Sequence, residues 1–131
     1  MERRDPPRPT DAELAILGVL WRDGPCTVEQ VRAALERSRP TGYTTALKLL
    51  QIMGEKGLVE RDESKRSHVY RPSLAEGETQ RQLVDDLMER AFGGSAGRLV
   101  MQALSTDRAT PEEIEAIRRL IDDRERGADG R

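Results

Sequence analysis

Three breakers in the first half of the chain fix its architecture before anything else is considered. Asp23-Gly24-Pro25, Ser38-Arg39-Pro40 and Gly57 each stop a helix. Proline lacks the amide and clashes with the preceding turn, and glycine after a periodic run is a natural C-terminal stop. The segments between them carry helical stripes. Thr10-Asp11-Ala12-Glu13 is a capping box, in which the Thr10 hydroxyl accepts from the Glu13 amide and the Glu13 carboxylate reaches back. Leu14, Leu17 and Trp21, flanked by Ile16 and Leu20, follow at helical spacing. Thr27 and Gln30 repeat the box ahead of Val28, Val31, Ala34 and Leu35. A third helix is expected from about Tyr43 to Lys56, with Ala46, Leu49, Leu50 and Met53 inward and Thr44, Leu47, Lys48, Gln51 and Glu55 on the other sides.

The pattern then changes period. "LVERDESKRSHVYRP" reads as two short strands, Leu58–Arg61 and His68–Arg71, around a charged turn, with Pro72 closing the second. Three helices and a β-hairpin in this order make a winged helix-turn-helix over residues 10–73, in a chain that is mainly α. From residue 74 on, every stripe is helical. Leu83, Val84, Leu87, Met88, Ala91 and Phe92 form one seam, and Phe92-Gly93-Gly94-Ser95 interrupts it. Ser95 can cap a short helix bearing Leu99, Val100, Ala103 and Leu104. Thr110-Pro111-Glu112-Glu113 is a third capping box, with Pro at the first helical position, and opens a helix carrying Ile114, Ile117, Leu120 and Ile121. Narrow stripes on short helices do not close a core from one copy. A homodimer built by residues 74–124 through Leu83, Val84, Leu87, Met88, Phe92, Leu99, Val100, Leu104, Ile114, Ile117, Leu120 and Ile121 is therefore expected. The competing arrangement folds these helices back on the winged half. Residues 125–131 are expected to fray.

Charge and composition exclude more than they assign. With one cysteine, Cys26, and one histidine, His68, there is neither an intramolecular disulfide nor a Cys/His metal cluster to build. No Gly-rich phosphate loop and no carboxylate set among apolar strands is present, so neither an enzyme, a cofactor nor a metal is expected. No apolar run reaches membrane-spanning length, and "MERRDPPRPT" has no apolar core of a secretory signal. A cytoplasmic protein is expected. Residues 1–9 read as a disordered arm, either untethered or reaching a DNA minor groove. Net charge is −2, yet residues 39–72 carry seven cations against four acids, and the acidic excess lies in residues 73–131. The basic third also holds the segment least suited to helix formation.

That segment is Gly42-Tyr43-Thr44-Thr45. Strong helix formers are missing from a helix start, which points to selection for contact. The second helix of a helix-turn-helix enters the major groove with its first residues nearest the bases. Thr44 and Thr45 offer hydroxyls to phosphates or base edges and methyls to thymine, and Tyr43 offers a phenol. Lys48 and Gln51 follow on the Thr44 side, while Lys65, Arg66 and Ser67 at the wing tip suit phosphates, with Arg61 and Arg71 as additions. Thr45 reads equally as a core filler, Tyr43 as a ring packed on the domain, Arg71 as a solvated strand edge and His68 as a surface or packing residue. A winged helix also serves protein–protein assembly, and a DNA-binding protein can answer directly to a small ligand, so both alternatives stay open.

"TDAELAILGVLWRDGPCTVEQVRAAL", "GYTTALKLLQIMGEKGLVERDESKRSHVYRP" and the "FGGS" linker together resemble the penicillinase-repressor family, the BlaI/MecI transcriptional repressors, from about Thr10 to Asp123. The resemblance implies an N-terminal winged helix, a C-terminal dimerisation domain and repression at palindromic operators, in characterised systems those of β-lactamase or related resistance genes. It also implies an inducing partner, a BlaR/MecR-like membrane metalloprotease, and cleavage in the dimerisation half. The corresponding stretch here is Val100-Met101-Gln102-Ala103-Leu104, without the Asn-Phe pair of the best-known members, so a cut would fall at or near Gln102–Ala103. The C-terminal cysteine motifs of copper-responsive relatives are absent, and Leu47 and Ile52 stand where relatives often carry polar residues.

Overall fold

The computed structural model describes residues 8–64 and 66–129. Most of the arm expected over residues 1–9 and the tail residues 130–131 lie outside the described residues, as does Lys65. Six helices and three short strands follow one another: α1 (Asp11–Asp23), β1 (Cys26–Thr27), α2 (Val28–Glu36), α3 (Tyr43–Lys56), β2 (Val59–Asp62), β3 (Val69–Pro72), α4 (Glu76–Ala91), α5 (Ala96–Leu104) and α6 (Pro111–Asp129). Two compact units result, one running through Asp85 and the other from Asp86. The division falls inside α4, beyond the expected boundary at residue 73. Trp21 is the reason for part of that extension: its Nε1–H donates to the Leu74 carbonyl at 3.1 Å, and Thr79 is buried within the same unit.

The first unit is a winged helix. Both expected capping boxes are formed at Thr10 and Thr27. Ile16, Leu17, Val19 and Leu20 of α1, Val28 and Val31 of α2, and Ala46, Leu50 and Met53 of α3 share one core with Leu58, Val59 and Tyr70. Leu49 and Leu47 are only partly buried against it. α3 ends at Gly57 (φ 84°), where the Gly57 amide donates to the Gly54 carbonyl and the Leu58 amide to the Met53 carbonyl at 2.9 Å. That paired closure is a Schellman motif, and it puts two buried side chains, Met53 and Leu58, at the turn into the wing.

The wing strands are displaced by one residue from expectation, and they gain a partner. β1 pairs antiparallel with β3, giving a three-stranded sheet of order β1-β3-β2 in place of a bare hairpin. Two residues between a Gly-Pro break and a helix cap are too few for a visible alternation, so β1 carries no sequence signal. Arg61 faces Tyr70 across the ladder and Glu60 faces Arg71, so the two pairs lie on opposite faces of the sheet.

The second unit is helical throughout. Gly93 (φ 56°) and Gly94 (φ 80°) take left-handed conformations in succession, and the Gly94 amide closes on the Met88 carbonyl at 2.9 Å. Ser95 caps α5 through the Arg98 amide, and Thr110 and Glu113 form the third capping box. α6 continues to Asp129, past the point where fraying was expected, with Asp123 and Arg126 paired along it. No residue of α5 is buried. Leu87 at 50 %, Leu120 at 62 % and Ile121 at 51 % leave much of the second unit's apolar stripe in solvent, as do Val100, Met101 and Leu104, and Val84, on the first-unit part of α4, is 45 % exposed. Leu83, Met88, Phe92, Leu99, Ile114 and Ile117 are half-buried.

Candidate nucleic-acid interface

The start of α3 lacks a side-chain cap. Threonine or serine hydroxyls cap α1, α2, α5 and α6, whereas Gly42 brings no side chain to cap α3. The first-turn amides of Tyr43, Thr44 and Thr45 therefore keep their donors, and with the helix dipole they form a positive end suited to an oxygen anion. All three side chains are exposed, Tyr43 at 50 %.

The two threonines face different ground. Thr45 lines a cleft of about 380 Å³ with Leu49, Pro40 and Ala12, between α1, the α2–α3 connection and α3. It is exposed, so its reading as a core filler does not hold. Thr44 lies one turn from Lys48 and two turns from Gln51, on a single helical face in which all three are exposed. Lys48 makes no ion pair among the described residues.

A second cleft, of about 440 Å³, runs between α3 and the wing. Tyr43, Leu47 and Gln51 line it from α3, and Arg61, Arg66, Ser67, His68 and Tyr70 from the sheet and wing tip. Thr27, Val28 and Glu29 complete it from the start of α2, brought there because β1 is stitched to β3. The sequence carried no signal for that third wall. Leu47 is corrected by the same geometry: it is half-buried against the core and forms part of the cleft floor, which explains an apolar residue on this side of α3.

The wing cations divide. Arg66 and Ser67 are exposed at the tip, where the Asp62 carboxylate accepts from the Ser64 amide at 2.9 Å and tightens the turn. The Arg61 guanidinium reaches the cleft but is bound to Glu63, and the carboxylate, followed by the Tyr70 hydroxyl, holds it above the usual arginine range. Arg71 lies on the opposite face and pairs with Glu60 at 3.0 Å, so the structure does not bring it into the cleft. His68 is exposed and lines the cleft.

Behind this surface sits an ion pair that sequence alone did not indicate. Glu13 is 2 % exposed, and both its oxygens accept from Lys56 Nζ at 2.8 and 2.9 Å while it also caps the Thr10 amide. Burial pushes the carboxyl upward, but the Lys56 and Thr10 hydrogen bonds outweigh it and hold Glu13 below its ordinary value. The start of α1 is thereby tied to the last turn of α3. Cys26 is buried, its thiol donating to the Gly24 carbonyl at 3.2 Å, and burial raises its pKa, as expected of an inert filler.

Residues 9–123 match the model of the penicillinase repressor family. The chain belongs to that family. It is 33 % identical over 118 residues to the transcriptional regulator BlaI of Mycobacterium tuberculosis, a match spanning 89 % of this chain and 85 % of the relative. Identity to the penicillinase repressor of Bacillus licheniformis is 22 %, over 89 % of this chain and 91 % of that protein. The fold is similar to the solution structure of the monomeric form of Bacillus licheniformis BlaI in complex with the blaP half-operator, with a TM-score of 0.50 at 24 % identity, covering 58 % of this chain and 93 % of that one. Among the described residues, no helix is long and apolar enough to cross a membrane, and no group of three His, Cys, Asp or Glu could hold a metal ion.

Proposed function

We propose that this penicillinase repressor family member binds a palindromic operator as a homodimer and represses transcription from it. In this reading α3 enters the major groove, with Thr44, Lys48 and Gln51 toward base edges, and Tyr43, Thr45 and the α3 amides on the flanking phosphates. Arg66, Ser67, Lys65 and Arg61 of the wing hold the neighbouring backbone. The observation that carries it is the uncapped start of α3, set beside wing cations across one cleft. The Bacillus licheniformis BlaI structure, a complex with a half-operator, supports the same use of this fold. The half-solvated stripe of α4, α5 and α6 supports the dimer, because a second copy buries what one copy leaves exposed.

Release follows from the same surface. A cut near Gln102–Ala103 by a membrane metalloprotease would sever α5 through the stripe of Val100, Met101 and Leu104 and weaken the dimer. Support for such a partner, and for β-lactam resistance-type target genes, comes from the family resemblance. An assembly module would have no need of a cationic wing opposite an uncapped helix start.

A mobility-shift titration with the DNA upstream of its own gene tests the reading. With about three to four ionic phosphate contacts per subunit, the log–log salt slope of the dimer is expected at about −5 to −7. A slope near zero, or no retardation at low salt, would overturn it in favour of assembly.

A further inference from the structure

The described acids of the wing are not equivalent. Glu60 is committed to Arg71 on the face away from the cleft, and Asp62 turns the wing tip through the Ser64 amide. Glu63 is the acid that holds a cation of the cleft: Nε and Nη2 of Arg61 both donate to its Oε2. Glu29 also lines the cleft, but it is spoken for by Arg32, which does not.

We propose that Glu63 limits the DNA affinity of this protein by occupying the edge of the Arg61 guanidinium that a backbone phosphate would take, an inference that rests on the repressor reading. Nε and one terminal nitrogen form the fork with which arginine binds phosphate oxygens. A phosphate reaching Arg61 must displace the carboxylate and leave it facing a polyanion. Both side chains are exposed, at 41 % and 56 %, so the pair opens without a desolvation penalty and the exchange is set by competition between two anions. Phosphate contacts strengthen binding to operator and to random DNA alike. An acid placed on one of them weakens binding to both alike and leaves Thr44, Lys48 and Gln51 untouched. Glu63 thus sets the strength of DNA binding and not its discrimination.

The full-length wild type, Glu63→Gln, Arg61→Ala and the double variant are titrated against the upstream duplex and a random-sequence duplex of equal length, over a range of salt. Glu63→Gln is expected to tighten binding to both duplexes by a similar factor. Its salt slope should steepen by about 0.9 per subunit. In the Arg61→Ala background the Glu63 substitution should bring no gain, since the carboxylate acts through that guanidinium. Equal or weaker binding by Glu63→Gln overturns the proposal. So does an undiminished gain without Arg61, which would make the effect one of bulk charge. Thermal unfolding of each variant, expected to match the wild type at these exposed positions, shows that the wing is intact. If the wild type retards neither duplex, the repressor reading itself falls, an outcome distinct from a wild type that binds and a Glu63 variant that does not differ.

Discussion

Thr44 and Thr45 are chemically identical neighbours in the same exposed turn, yet a helix turns by about 100° between them. Thr44 stands over Lys48 and Gln51, and Thr45 over Leu49 beside the α1 groove. Loss of the Thr44 hydroxyl should therefore remove a contact from the reading face, worth about 1 kcal/mol or about fivefold in affinity. Thr44→Ala is expected to weaken operator binding by that factor per subunit, about thirtyfold for the dimer, measured by mobility shift, with Thr45→Ala weakening it less. The reverse order would rotate the assigned face by one residue. Arginine gives the same lesson: Arg61, Arg66 and Arg71 share a composition signal, but their partners differ, and of the three Arg66 is exposed at the tip with no ion pair to an acid among the described residues.

Among the elements, α3 is held at its C-terminal end by two different kinds of contact. Its C-terminus closes through Gly57 in a left-handed conformation, and Lys56 just before it anchors to the buried Glu13. Breaking a buried pair costs about 3–5 kcal/mol when both charges are enclosed. Lys56 keeps 30 % of its side chain in solvent, so Lys56→Met is expected to cost less, about 2 kcal/mol, in urea unfolding at neutral pH. The pH dependence has a definite sign. Glu13 lies below its unfolded value of 4.5 in the folded protein, so its contribution is complete above that value and is lost as pH falls through the folded one. The stability gap between wild type and Lys56→Met should accordingly shrink as the pH falls below 4.5 into acid. A gap that persists unchanged there would assign the loss to packing of the lysine stem.

For the whole molecule, the two units bury apolar surface to very different degrees. The winged unit has a closed core of its own, whereas α5 buries nothing and α6 presents Leu120 and Ile121 more than half exposed. Enclosing a side chain of this size contributes about 1.5–3 kcal/mol. Ile121→Asp is therefore expected to weaken dimerisation by about tenfold or more, read by sedimentation equilibrium, and to weaken operator binding with it. An unchanged monomer–dimer equilibrium would place the interface elsewhere on the stripe.

The sequence by itself determined the helices, their caps and the presence of a wing, because those are local. Thr10, Thr27 and Thr110 announce helix starts through contacts three residues away, and Gly57 announces an end through its own backbone freedom. Tyr43, Thr44 and Thr45 were likewise legible as a surface, since residues poor in helix propensity at a helix start need another reason to be there. Only the tertiary structure decided which cations are available, that β1 brings the start of α2 to the cleft, and that Leu47 is its floor. It alone joined Glu13, legible in sequence only as a capping residue, to Lys56, far along the chain. The physical reason is range. Capping and turn chemistry act within a few residues, whereas ion pairing and burial depend on distances that exist only after the chain has closed on itself.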